Sequence, residues 1–245
     1  MLILLPPSET KRPGGVGVSI DKACIIWAAL DPTRDILISE LGELCKAPDL
    51  AAKALKLGKK SQADIEANLA LMTSGTMPAL ERYTGVVFDA IGYDSLSPQG
   101  LKRAEQQLFI QSALFGLLPA MEQIPYYRFS AGTKLTGINL ASLWQDAHQA
   151  VWPRLSGPIL DMRSKAYVAL NPIPEDIASF YVDVVDSDQG RALNHFNKKA
   201  KGSFVRAALE NGLDSIDDVP RIAKLAGLSA KIQSDSVQLA VPAGY

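Results

Sequence analysis

The 245-residue sequence is poor in cysteine and histidine, with two of each: Cys24, Cys45, His148 and His195. These four have no close ligand spacing, so no resident zinc or other metal is expected. There is no CxxC pair, and two lone cysteines suit buried thiols in a reducing compartment. Long apolar runs are also missing. The opening run of Met1 to Leu5 stops at Pro6-Pro7. It is too short for a signal-peptide core and has no basic residues before it. Nothing approaches the roughly 18 apolar residues of a membrane span. A cytoplasmic protein without a membrane partner is therefore expected. The sequence has no GxxxxGK[ST] loop, no GxGxxG after a strand, no HExxH and no GxSxG elbow. No cofactor is expected from it.

What is present is ample core material. Hydrophobic residues make up 47% of the chain and charged residues 21%. That composition suits a globular fold, and the length suits one domain over residues 1–245. The formal net charge is −1. Only the local distribution of charge can point to a polyanionic partner.

Leu2 to Leu5 reads as a buried strand. Ala23 to Ala28 reads as a second strand. Asp31 to Leu57 and Ser61 to Met72 read as helical, with a polar turn at Leu57-Gly58-Lys59-Lys60. Ser97-Pro98 starts a helix, and Asn139 caps another that carries Leu140, Leu143, Trp144, Ala147 and Val151 on one face. His148 on that helix reads as structural. Leu108 to Leu118 reads as one buried strand with a turn after it. Ile159 to Met162, Phe180 to Val185 and Val237 to Val241 are strand-like, and Ser203 to Leu209 is helical. Strands and helices alternate along the chain. The expected fold is α/β, of mixed α+β type: one compact domain with a central mixed sheet flanked by helices. Residues 31–72 would form a helical protrusion within it.

Four stretches could carry chemistry. Arg191 to Leu209 holds Arg191, Lys198, Lys199, Lys201 and Arg206 and no acid. Lysines offer point charges to phosphate, and a helix starting near Gly202-Ser203 would add free N–H groups. His195, in the same stretch, is the one histidine that suits acid–base work. Gln123 to Gln145 holds Arg128 and Lys134 beside Tyr126, Tyr127 and Phe129, again with no acid. Arginine with aromatics suits stacking on bases. Glu9 and Lys11 follow the first strand, where ligands often bind in α/β folds. Tyr83-Thr84-Gly85 and Arg163-Ser164-Lys165 are similar strand-end positions. Last, Lys53, Lys56, Lys59 and Lys60 cluster around the turn at Gly58, a loose match to a DNA-binding helix-hairpin-helix. Each stretch also fits a plain solvated loop or an ordinary core segment.

Several segments together resemble the YaaA family of peroxide-stress proteins. They are Met1-Leu2-Ile3-Leu4-Leu5-Pro6-Pro7-Ser8-Glu9-Thr10-Lys11, Tyr83-Thr84-Gly85, Ser112 to Gly116, and Pro125 to Arg128 followed by Gly132. Trp144, Ser164 with Tyr167, and Lys198-Lys199-Ala200-Lys201-Gly202 follow in order. The resemblance implies a cytoplasmic bacterial protein tied to the hydrogen-peroxide response and to limiting iron-driven damage. It implies one α/β fold with a positive cleft, a helix-hairpin-helix and DNA binding. The matching cleft positions are Lys11, Arg128, Arg163, Lys165, Lys198, Lys199 and Lys201. The sequence departs from the family form in two places. Its hairpin has one glycine, and Lys201 stands where arginine is usual, with Asn197 before the lysine pair.

Three functions follow as expectations. The first is DNA binding by backbone and shape, through Lys11, Arg128, Lys134, Arg163, Lys165, Lys198, Lys199, Lys201 and Arg206, with Gly58, Lys59 and Lys60 at the hairpin. Tyr127 or Phe129 would stack on an unpaired base. The second is an enzyme acting on a nucleotide-like small molecule, with Glu9, Tyr83, Ser112, Ser164 and Lys198 converging. A deep pocket would favour the enzyme and an open basic groove the DNA binder. The third, direct iron handling, would have to rest on carboxylates.

Overall fold

A computed structural model describes residues 1–20, 25–58, 61–186 and 196–242. The elements in chain order are β1 (Leu2–Leu5), α1 (Asp31–Cys45), α2 (Pro48–Ala54), α3 (Ser61–Leu69), β2 (Thr76–Pro78), α4 (Ala79–Arg82) and α5 (Val86–Ile91). Then come α6 (Pro98–Gln107), β3 (Leu108–Ser112), β4 (Gly116–Pro119), β5 (Gln123–Pro125), α7 (Leu140–His148), β6 (Ile159–Asp161) and α8 (Lys165–Leu170). The last are β7 (Ser179–Asp186), α9 (Phe196–Asn211), α10 (Val219–Leu225), β8 (Ser229–Ile232) and β9 (Ser236–Val241).

Seven strands form one sheet in the order β4-β3-β1-β6-β7-β9-β8. The pairs from β3 through β9 are parallel, and β4 and β8 add antiparallel edges. β1 lies inside the sheet, with Ile3 opposite Leu108 on one side and Leu160 on the other. All four of its residues are buried, which explains an unbroken apolar run rather than alternation. β2 and β5 form a separate antiparallel pair. The mixed α/β fold expected from the sequence is thus present as one domain, its sheet flanked by helices.

Helix starts follow the capping residues. Ser97 Oγ accepts the Gly100 N–H at 3.0 Å, with Pro98 in the first turn. Asn139 Oδ1 accepts the Ser142 N–H at 3.2 Å. Within α7, the Trp144 indole N–H donates to the Ala113 carbonyl at 2.8 Å. His148 Nε2 accepts the Leu117 N–H at 3.2 Å, and its Nδ1 lies 2.7 Å from the Trp144 carbonyl. Burial holds this imidazole down to about 4, so it stays neutral.

Four segments differ from the sequence reading. Leu108 to Leu118 is a hairpin, not one strand. Ser112 Oγ accepts the N–H groups of Leu114 and Phe115 and folds the chain back, and Gly116 re-enters the sheet at φ 73°. Residues 25–28 are not a strand: Trp27 is left-handed and a 3-10 turn follows at Ala28–Leu30. Ala23 and Cys24 lie outside the described residues. Asp31 to Leu57 breaks at Ala47, because Pro48 begins a new helix. Ser203 to Leu209 is part of the longer α9. Gly202 is therefore inside a helix and offers no free N–H groups to an anion. The three helices α1 to α3 pack on one another, and their buried Leu37, Leu41 and Ile65, with Leu55 just after α2, join the main core.

Candidate functional site

β1 sits where the chain switches direction in the sheet: β3 pairs on one side and β6 on the other. The carboxyl ends of these strands are the usual ligand position in such sheets. The chain leaves β1 through Pro6-Pro7, which cannot extend the ladder. The loop that follows is clamped against Tyr83-Thr84. Lys11 bridges to Tyr83, the Thr84 N–H donates to the Thr10 carbonyl at 3.1 Å, and Thr10 Oγ1 donates to the Thr84 carbonyl at 3.1 Å.

This clamp turns the Lys11 side chain inward, leaving the residue 7% exposed. Its Nζ donates to the carbonyls of Ser8 at 3.0 Å and Glu9 at 3.4 Å. It also lies 4.3 Å from the ring centre of Tyr127 and 5.3 Å from that of Tyr83. Burial, with Arg128 nearby, lowers this amine to about 7. Arg128 donates from Nη1 to the Glu9 carbonyl at 3.0 Å and from Nη2 to Glu9 Oε2 at 2.9 Å. Asn68 of α3 fixes the Arg128 backbone from both sides: its Oδ1 accepts the Arg128 N–H at 2.8 Å and its Nδ2 donates to the Arg128 carbonyl at 3.0 Å.

Behind Lys11 runs a chain of hydroxyls. Tyr83 and Tyr127 have their oxygens 2.6 Å apart, and Tyr127 Oη is 2.8 Å from Ser112 Oγ. Burial raises both phenols well above their ordinary value. Tyr167 is raised too, mainly by burial, and its hydroxyl accepts the Ala131 N–H at 3.4 Å.

A second buried cluster lies at the end of β6. Arg163 pairs with Asp161 through Nε at 2.9 Å and Nη2 at 2.8 Å, and its Nη1 donates to the Asn171 carbonyl at 2.6 Å. Lys201 Nζ donates to the Met162 carbonyl at 3.1 Å, and burial lowers this amine to about 8. Arg206 caps a turn through the carbonyls of Ile91 at 2.7 Å and Ser95 at 2.9 Å.

The residues read from the sequence therefore separate into groups. Glu9, Lys11, Tyr83, Ser112 and Arg128 come together. Arg163, Lys201 and Arg206 are engaged by the fold. Lys134, Lys165, Lys198 and Lys199 are exposed, as is Ser164, which stands outside the hydroxyl chain. Gly58 is exposed, while Lys59, Lys60, Arg191 and His195 lie outside the described residues. Tyr127 and Phe129 are buried, because both belong to the core, and neither offers a face to an unpaired base. Sequence reasoning missed the positioning roles of Asn68 and Asp161. No local signal marks either, since both act on residues that only the fold brings near.

An open groove of about 530 Å³ runs beside α8, lined by Lys134, Leu135, Asn139, Ala166 and Ala169 among others. Among the described residues no three His, Cys, Asp or Glu side chains gather as a metal site, and no helix is long and apolar enough to cross a membrane.

Comparison with known proteins matches residues 1–233 to the family described as peroxide stress protein YaaA. A UPF0246 protein of Corynebacterium efficiens is 36% identical over 239 residues, covering 95% of each chain. A UPF0246 protein of Corynebacterium glutamicum is 35% identical over 235 residues, covering 93% of this chain and 94% of its own. One from Streptomyces coelicolor is 32% identical over 242 residues, covering 96% and 93%.

Proposed function

The chain belongs to the YaaA family of peroxide stress proteins, and from that premise we propose that it binds DNA and so helps protect against hydrogen peroxide and iron-driven damage. The observation that supports this reading is the placement of its exposed lysines. Lys165 begins α8 just beyond the carboxyl end of β6, and Lys134 lines the groove along that helix. Lys198 and Lys199 lie in the first turn of α9. The next turn is tied to the same strand end by the bond from Lys201 to Met162. Exposed cations thus border the carboxyl end of β6. The cations turned inward, Arg163 and Lys201, hold that strand end in shape.

Such a rim meets phosphates and reads backbone shape, because among the described residues no helix presents arginine and asparagine to base edges at regular spacing. Fluorescence anisotropy with duplex, single-stranded and bubble DNA across a salt series tests it. Binding that weakens steeply with salt is expected. Lys165→Ala and Lys198→Ala should each lower the log–log salt slope by about one unit. Absence of binding at low salt, or variants with an unchanged slope, would sink this reading. The second reading, an enzyme acting on a nucleotide-like molecule, is favoured by one observation: the buried amine of Lys11 meets the Glu9 carbonyl and the Tyr83 ring, and Ser112 is linked to the same cluster through Tyr127.

A further inference from the structure

The groove beside α8 differs from the rest of the cationic rim, because its walls are apolar. Small side chains line it from two sides: Ala131 and Ala141 on one, Ala166 and Ala169 of α8 on the other. Leu135 and Ile138, packed against the core, complete the first wall. The volume of about 530 Å³ lies in the range of small-ligand sites. Lys134 lines the groove and Lys165 directly precedes Ala166, both of them exposed. No acid occurs from Gln123 to Gln145 or from Met162 to Pro174, so both walls carry charge of one sign.

A phosphate backbone suits the lysines but not the space between them. Phosphates and sugars are polar, and a stacked duplex keeps the flat faces of its bases inside. The part of a nucleic acid that fits between small apolar walls is an unstacked base. Tyr127 and Phe129, which the sequence offered for such a base, are buried in the core. The aliphatic groove is open where they are not.

Two polar side chains of the groove have donors to spare. Asn139 Oδ1 is taken by the Ser142 N–H at 3.2 Å, and its amide NH2 donates to nothing among the described residues. Thr133 Oγ1 is taken by the Ser130 N–H at 3.1 Å. Thr133 is 7% exposed, and its hydroxyl proton also meets no acceptor among the described residues. Both groups line the groove, and both have only donors left to offer. Donors select carbonyl oxygens. Thymine carries two of these and adenine none.

We propose that this groove seats one unpaired base of a bound strand, with Lys134 and Lys165 on the flanking phosphates and Asn139 and Thr133 donating to a base carbonyl. The inference rests on the DNA reading. It adds to that reading a preference for unstacked bases that bear a carbonyl.

Fluorescence anisotropy of the full chain with three short single strands tests the seat. One strand is abasic throughout, one carries a single central thymine and one a single central adenine. The three share one backbone, and a lone base has no neighbour to stack on. The thymine strand should bind about threefold to tenfold tighter than the adenine strand, the effect of about one hydrogen bond. Both should bind tighter than the abasic strand. Asn139→Ser keeps a capping oxygen but loses the amide donor, and should bring thymine down toward adenine. Ala169→Leu fills the groove and should bring both down to the abasic strand. A melting curve for each variant shows that it folds. Equal affinity for the abasic and thymine strands would overturn the base seat while leaving the phosphate rim intact. Equal affinity for thymine and adenine would overturn the carbonyl contact. A thymine preference that survives Ala169→Leu would put the base elsewhere and overturn the groove. Failure of all three strands to bind at low salt would sink the DNA reading itself.

Discussion

Lys11 is the residue where burial and charge compete most directly. Its amine is lowered from an ordinary 10.5 to about 7, first by burial and then by Arg128. Between these values the unfolded chain binds more protons than the folded one. Stability from this residue therefore rises with pH across the window and is lost as pH falls back through it. Lys201, lowered to about 8, acts in the same direction over the upper part. Urea unfolding at about pH 7 and about pH 9.5 should show a higher midpoint at the higher pH. Lys11→Met should remove a large share of that rise, because the lysine is no longer there to titrate. An equal rise in the variant would show that other groups carry it. The sequence marked Lys11 as a strand-end residue, but not as a buried one. Its burial depends on Tyr83 and Tyr127, 72 and 116 positions further along the chain, which no local pattern connects to it.

α9 shows what was hidden at the level of an element. The sequence is acid-free from Arg191 to Leu209, and four basic residues of α9 within that stretch suit a polyanion. The fold divides them: Lys198 and Lys199 face out, while Lys201 and Arg206 face in. Gly202 explains the close fit. α9 crosses α5 there, and a Cβ on Gly202 would collide with the Val87 carbonyl. The glycine read as a helix start is a crossing point between two helices. Gly202→Ala should cost about 1–3 kcal/mol by overpacking, measured by chemical denaturation. Gly58→Ala, with nothing within 4 Å of the new methyl, is the comparison and should stay within about 0.5 kcal/mol of wild type. Equal losses would contradict the crossing. The capped helices α6 and α7 were legible because Ser97 and Asn139 act within three residues. The β3–β4 hairpin was not. Its turn is made by a serine inside an apolar run, and burial removed the polar punctuation that usually marks a turn.

At the scale of the whole molecule, the fold class is legible in the alternation of strands and helices along the chain. The order of strands is not, because parallel pairing joins segments far apart in the chain. The position of β1 inside the sheet follows from apolarity on both faces, but its neighbours do not. Yet that order brings the loops after β1, β3 and β6 together, and with them Glu9, Ser112 and Arg163 to one end of the sheet.

The two antiparallel outer strands have a further consequence, for how the protein behaves among copies of itself. An open edge is a template on which another chain can grow. On the β4 side the template is blocked by side chains: His148 takes the Leu117 N–H, and Arg34 Nε takes the Phe115 carbonyl at 2.9 Å. On the β8 side, Lys231 stands exposed in the middle of a four-residue strand. Lys231→Val should raise light scattering on concentration, and an unchanged signal would show that this lysine is not the guard. Polymerisation through the sheet is thus resisted at one end by capped backbone groups and at the other by a charge that a neighbouring strand would have to bury.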